Sequence, residues 1–191
     1  MNAQNPQDYD ATSINEMEFK NFKQDLMKVK AFAFDVDGVF TNGMVFLQPA
    51  GEFSRMMNIK DGYAVQYCIK KGYPVAVITG GNSGMIKKRF EYLGVKDIYL
   101  KSSDKLRNYE DFRLKYNLEH GNILYMGDDI PDYDIMRMAG VPTCPADAVE
   151  EIKEISKYIS DKKGGQGCVR DVIEQVLRLH NNWMIEGAVI W

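Results

Sequence analysis

The sequence predicts an α/β fold: a doubly wound parallel sheet with a β-hairpin inserted after its first strand. Three observations carry that prediction. Short apolar runs alternate along the chain with stretches of helical period, as parallel strands joined by crossover helices require. Several of those runs end in acids or glycines, residue types that collect beyond the carboxyl ends of strands in Rossmann-like sheets. The length, 191 residues of which 45% are hydrophobic and 27% charged, suits one domain with its own core.

Residues 1–28 read as an N-terminal extension, polar and aperiodic at first and weakly helical over 17–28. The body, 29–180, opens with AFAFDV at 31–36, a buried strand. Segments 44–47 and 52–59 flank the turn signal Gln48, Pro49, Ala50, Gly51 and predict the hairpin. Asp61 is placed to cap a helix that runs through Lys71 and stops at Gly72. PVAVITGG at 74–81 is a second core strand. Residues 82–93 form a helix with Met85, Ile86, Phe90 and Leu93 on one face, closed by Gly94. A short strand at 97–100 leads to a helix over 104–116, and NILYMGDD at 122–129 is another apolar strand ending in acids. Pro131 suits the first turn of a helix ending near Gly140. A strand at 141–144, a helix over 147–157 and a minimal strand at 158–159 follow. GGQG at 164–167 breaks the chain before an amphipathic helix that carries Val169, Val172, Ile173, Val176 and Leu177. Residues 181–191 are a C-terminal tail.

The net charge of −3 argues against a nucleic-acid partner, which selects basic surfaces. No apolar run approaches the ~20 residues of a membrane-spanning helix, so no membrane partner is expected. Cys68, Cys144 and Cys168 lie far apart without a CxxC pair, which argues against a disulfide framework and a zinc site. With no signal pattern at the N-terminus, a reducing cytoplasm fits.

Asp35 and Asp37 leave the first strand two residues apart, with Gly38 next. Their repulsion would raise one pKa unless a cation lies between them. Asp128 and Asp129 end another core strand, and Asp132 follows close behind. Any one of these acids alone reads as a turn former. Five converging on one sheet edge point to a hard divalent cation, Mg2+. Lys105, opening a helix, can reach the same edge, and Thr79 and Gly80 offer a hydroxyl and an open N–H. A metal, a lysine and neutral donors around a carboxylate suit phosphoryl transfer, where the equatorial oxygens need neutralising. One carboxylate can be the nucleophile, forming an aspartyl-phosphate, while another protonates the leaving alcohol and later deprotonates water. His120 and His180 both lie away from strand ends, so no histidine mechanism is expected.

DVDGVFT at 35–41, ITG at 78–80, DK at 104–105 and GDDIPD at 127–132 resemble, in order, the four motifs of the haloacid dehalogenase (HAD) superfamily of phosphatases. The resemblance spans about residues 30–180. It implies Asp35 as nucleophile and Asp37 as general acid/base, with Thr79 and Lys105 holding the phosphoryl group. It also implies Mg2+ on Asp35, the Asp37 carbonyl and Asp128, with Asp129 and Asp132 in support. No long insertion follows the first motif or separates the second and third, so the hairpin stands in place of a cap domain.

The hairpin, NIKDGYA at 58–64 and KKGGQGCVRDVIEQVL at 162–177 are similar to capless sugar-acid phosphatases of the superfamily. That implies a small sugar phosphate as partner, expected to be 3-deoxy-D-manno-octulosonate 8-phosphate, a lipopolysaccharide precursor. A nine-carbon keto acid 9-phosphate is the alternative. It further implies a homotetramer in which a neighbouring subunit closes each active site. Gly80 and Arg89 would bind substrate, Arg89 near its carboxylate. Lys60, Asp61 and Gly62 would line the entrance, and Gly164, Gly165 and Arg170 would belong to a tail reaching the adjacent site. One departure stands out: Gly81, Asn82 and Ser83 follow ITG where many relatives carry a charged residue, so that loop's carboxylate clamp is missing or moved. A phospho-receiver domain, the non-enzymatic alternative, would carry its acceptor after the third strand, where this chain has Leu100, Lys101, Ser102 and Ser103.

Overall fold

The computed structural model describes residues 22–49 and 53–185. The polar start of the predicted extension, the tip of the hairpin and the end of the tail lie outside the described residues. Strand β1 (Ala31–Phe34) is buried along its whole length, as a central parallel strand must be. The chain then forms a two-stranded ribbon, β2 (Phe46–Leu47) and β3 (Phe53–Ser54), with Phe46 opposite Ser54 and Leu47 opposite Phe53. It returns through α1 (Ile59–Lys70), β4 (Val75–Ile78), α2 (Gly84–Tyr92) and β5 (Asp97–Tyr99). Helix α3 (Lys105–Lys115) crosses to β6 (Ile123–Met126), and α4 (Tyr133–Met138), β7 (Val141–Cys144), α5 (Glu150–Ile155), β8 (Tyr158–Ile159) and α6 (Cys168–Leu179) complete the body.

The sheet runs β5-β4-β1-β6-β7-β8 with every pair parallel. The chain builds outward from β1 through β4 to β5, then starts again on the other side at β6. Its direction of winding therefore reverses between β1 and β6, where such sheets open a crevice beyond their carboxyl ends.

Period-2 alternation splits β1 between two cores. Phe32 and Phe34 join Phe40, Phe90 and the apolar face of α6 on one side. Ala31 and Ala33 face Tyr109, Phe112, Tyr125 and Ile152 on the other. Helices α1, α2 and α6 thus cover one face, and α3, α4 and α5 the other. The end of the predicted extension and the start of the tail also touch this packing: Leu26 and Trp183 are buried in the first cluster, and Tyr67 donates to the Asn182 carbonyl at 3.0 Å.

Four local expectations are corrected. Asn58, not Asp61, caps α1, its side chain accepting from the Lys60 N–H. The hairpin strands are two residues each, and 55–58 is not strand. Met85 is exposed, because one residue before Ile86 it lies about 100° round the helix. Helix α5 starts at Glu150 rather than 147, because the Ala146 N–H is taken by the Lys162 carbonyl and the Ala148 N–H by Pro145.

Candidate active site

The site is built at the reversal point. The Asp35 N–H donates to the Met126 carbonyl at 3.0 Å, extending the β1–β6 ladder by one residue and setting the Asp35 side chain at its end. The loop beyond is tightly wound: the N–H groups of Val39, Phe40 and Thr41 all donate to the Val36 carbonyl. Thr41, fully buried, accepts from the N–H groups of Gly38 and Gly43 at 3.2 Å each and donates to Asp37 at 3.5 Å. Gly38 has φ +84, and a Cβ there would fall 1.8 Å from Asp128 Oδ2, so glycine is required both for conformation and for space.

Asp35, Asp128 and Asp132 each bring an oxygen within 4.8 Å of the others. Lys105, at the first position of α3, reaches between them: its Nζ lies 3.0 Å from Asp35 Oδ1 and 2.8 Å from Asp132 Oδ1. The Tyr125 hydroxyl donates to the same Asp132 oxygen at 2.6 Å, and the Asp128 N–H to the other at 3.3 Å. Asp132 is thereby fully engaged by protein donors. Asp35 and Asp128 are not, and Asp128 Oδ1 is buried without a partner.

The electrostatics follow from burial. Desolvation, then repulsion from Asp132, pushes Asp35 well above the usual carboxylate range against the pull of Lys105. Burial, then Asp132 and Asp129, pushes Asp128 up to about 7. Burial opposes the charge on Lys105, but Asp35 and Asp132 together outweigh it and raise its pKa. One ammonium among three clustered carboxylates, with an orphaned carboxylate oxygen, is a donor set that fits a hard divalent cation such as Mg2+. Asp35 and Asp128 are the side chains open to hold it. Asp129 is exposed and accepts from its own neighbour, the Ile130 N–H, so it shapes the turn and adds charge to the rim.

Thr79 and Gly80 end β4 beside this cleft. The Thr79 N–H and carbonyl are fixed to Tyr99 and Ser102, and its hydroxyl oxygen accepts the Gly81 N–H at 3.1 Å. Two contributors escaped the sequence reading. Thr41 ties the loop to Asp37, and Arg55, just past β3, grips Asp37 with Nε to Oδ1 at 2.6 Å and Nη2 to Oδ2 at 2.9 Å. That hydrogen-bonded pairing raises the Arg55 pKa. A lone basic residue in the run FSRMMN was the available signal.

Of the three residues expected at the entrance, Asp61 and Gly62 are buried instead. Lys60 is exposed on the first turn of α1. Asp61 is fully buried and lines nothing: its Oδ1 accepts from the Arg170 N–H at 2.8 Å, tying α1 to the start of α6. Burial pushes it up to about 6. Gly62 is buried beneath Arg89, whose Nη2 lies 2.5 Å from where a Cβ would sit. Arg89 itself lines a cleft with Arg55 and Met57. Gly164 and Gly165 brace the catalytic loop of their own chain: the Gly165 N–H donates to the Val39 carbonyl at 2.9 Å. The Arg170 guanidinium lies over the rings of Tyr63 and Trp183 and pairs with Glu174 at 3.3 Å.

Fold and cleft together define a haloacid dehalogenase-like hydrolase, and a family model of that description matches residues 94–173. The chain belongs, within that class, to the family of 3-deoxy-D-manno-octulosonate 8-phosphate phosphatases. It is 31% identical over 160 residues to the Yersinia pestis enzyme of that name, covering 84% of each chain. It is 30% identical over 149 residues to the one from Escherichia coli K12, covering 78% of this chain and 79% of the other. The solved structure of the Moraxella catarrhalis phosphatase, in complex with magnesium ion, phosphate ion and KDO, superposes with a TM-score of 0.83 at 32% identity, covering 86% of this chain and 94% of that one. The cobalt-bound Haemophilus influenzae phosphatase superposes with a TM-score of 0.80 at 26% identity, covering 83% and 92%. Among the described residues no helix is long and apolar enough to cross a membrane.

Proposed function

We propose that this chain is a Mg2+-dependent phosphatase that hydrolyses 3-deoxy-D-manno-octulosonate 8-phosphate to the free sugar acid and phosphate. The observation that carries the reading is the buried contact of Lys105 with both Asp35 and Asp132 beside the unpartnered Asp128 oxygen.

Asp35 attacks phosphorus, and the bond to the sugar oxygen breaks. Asp37 gives that oxygen its proton, leaving an aspartyl-phosphate on Asp35. Asp37 then takes a proton from water, the water oxygen attacks phosphorus, and the bond to Asp35 breaks to release phosphate. Lys105 offsets the charge on Asp35 and, with the Thr79 hydroxyl and the Gly80 N–H, holds the phosphoryl oxygens. Asp132 fixes Lys105 and the Asp128 backbone. Asp35, the Asp37 carbonyl and Asp128 would hold Mg2+, which when bound would supply positive charge to neutralise the phosphoryl group.

One catalytic domain over 29–180 carries this chemistry, and copies of the chain assemble through their ribbons into a tetramer that closes each cleft. The support is the ribbon's surface: Phe46 is 72% exposed and Leu47 69%, with Met44, Met56 and Ile59 exposed beside them. The enzyme acts in the cytoplasm on a lipopolysaccharide precursor, a setting consistent with three buried, free cysteines.

Phosphate release from sugar phosphates and keto acid phosphates, with Mg2+ present, tests the reading. The eight-carbon acid phosphate is expected to give the highest kcat/KM, above the nine-carbon one. A carboxylate-free sugar phosphate turned over as well as either acid would overturn it.

A further inference from the structure

We infer that Arg55 determines substrate specificity: its guanidinium exchanges the Asp37 carboxylate for the carboxylate of the sugar acid, and the exchange frees Asp37 to reach the leaving oxygen. The inference rests on the proposed function and assigns a residue that sequence motifs leave out.

The geometry favours the exchange. Arg55 takes both oxygens of Asp37, at 2.6 and 2.9 Å, in the fork arrangement that suits guanidinium and carboxylate. A proton carrier must turn an oxygen toward the leaving group, and the fork fixes the direction of both Asp37 oxygens. The guanidinium is only 10% exposed, against 34% for Asp37. Withdrawing Asp37 alone would leave a largely buried cation without an anion, a costly state. A second carboxylate restores the pair with the same geometry, and the substrate carries one.

The surroundings supply the path. A cleft of about 630 Å3 runs from Phe53 and Arg55 past Gly81 to Lys88. A neighbouring cleft of about 290 Å3 reaches Arg89. Together they are large enough for an eight-carbon acid, and Arg55, Lys88 and Arg89 line them. Gly81 borders the pair: a Cβ there would sit 3.3 Å from Thr79 Oγ1, 3.6 Å from Arg55 Nη2 and 3.7 Å from Asp37 Oδ2. The clamp missing from the loop after ITG thus comes from the ribbon, beside the position that lacks a side chain.

The test compares Arg55→Met and Arg55→Lys with the unmodified enzyme. Two substrates are used, the sugar-acid phosphate and a carboxylate-free sugar phosphate of similar length. Two inhibitors are used, the free sugar acid and inorganic phosphate. Arg55→Met is expected to lower kcat/KM for the acid by about 50-fold, mostly through KM, as loss of a bidentate charged pair does. For the carboxylate-free substrate kcat/KM should hold or rise, because Asp37 no longer has to be released from the fork, and Arg55→Lys should be intermediate on the acid. The inhibition constant of the sugar acid should rise about tenfold and that of phosphate less than about twofold. Equal falls on both substrates, or an equal rise for phosphate, would mean that the fork serves the phosphoryl group, and the inference falls. An unchanged preference for the acid also overturns it. Circular dichroism checks folding, and if Arg55→Met does not fold, the same differential in Arg55→Lys decides. An unmodified enzyme inactive on every keto acid phosphate removes the proposed function itself, and this inference with it.

Discussion

Gly164 lies against Gly38 so closely that a Cβ on Gly164 would fall 2.0 Å from the Gly38 carbonyl oxygen. The loop that carries Asp35 and Asp37 is therefore backed by bare main chain from the other end of the sequence. Gly164→Ala must push that loop forward. We expect it to cost about 1–3 kcal/mol of stability by overpacking. We also expect kcat to fall about 100-fold, the usual result of a misplacement near 1 Å. Urea unfolding and steady-state kinetics on the same preparation measure both, and an unchanged kcat would mean that the loop does not need this support.

Lys105→Met leaves Asp35 and Asp132 buried without their shared cation. The expected loss is about 3–5 kcal/mol in metal-free protein, with kcat down on the order of 1,000-fold. Thermal unfolding in EDTA and a phosphate-release assay with Mg2+ report the two effects separately.

Asp61 gives a pH prediction away from the chemistry. Its folded pKa is pushed up to about 6, whereas the unfolded value is ~3.9. The folded state thus holds the proton more tightly. The contribution of Asp61 to stability is present below the unfolded value and is lost as pH rises through about 6. Asp61→Asn has no such loss. Its stability relative to the unmodified chain should therefore improve by about 2 kcal/mol between pH 4 and pH 7. Urea titrations at the two pH values check it, and a constant difference would show that the Asp61 charge is not penalised by burial.

Metal removal should silence the enzyme. EDTA is expected to abolish turnover, and excess Mg2+ to restore it. Because Asp128 Oδ1 has no protein partner, Mg2+ should also raise the Tm of the intact chain. Asp128→Asn should lose most of that rise. Differential scanning fluorimetry with and without Mg2+ is the measurement, and an equal rise in both proteins would move the cation elsewhere.

Asp35, Asp37 and Asp128 were legible because each directly follows an apolar run, so its position at a strand end could be read locally. Lys105 and Asp132 were legible as members of a set. Arg55 was not, since its partner Asp37 is 18 residues away across a ribbon with no fixed geometry in sequence. Asn58 and Asp61 are both good capping residues three apart, and only the burial of Asp61 in three dimensions separates them. GGQG signals a break in local terms; that its glycines admit another segment's backbone depends on tertiary contact.

Asp35 and Asp128 come from opposite sides of the reversal point, with β6 made long after β1. During synthesis, a ribosome that has released the chain only through β5 has exposed Asp35 and Thr79 but neither Lys105 nor Asp128. Such a nascent chain lacks half of the cleft's charges. The cleft is therefore assembled only once the second half of the sheet is made and folds against the first.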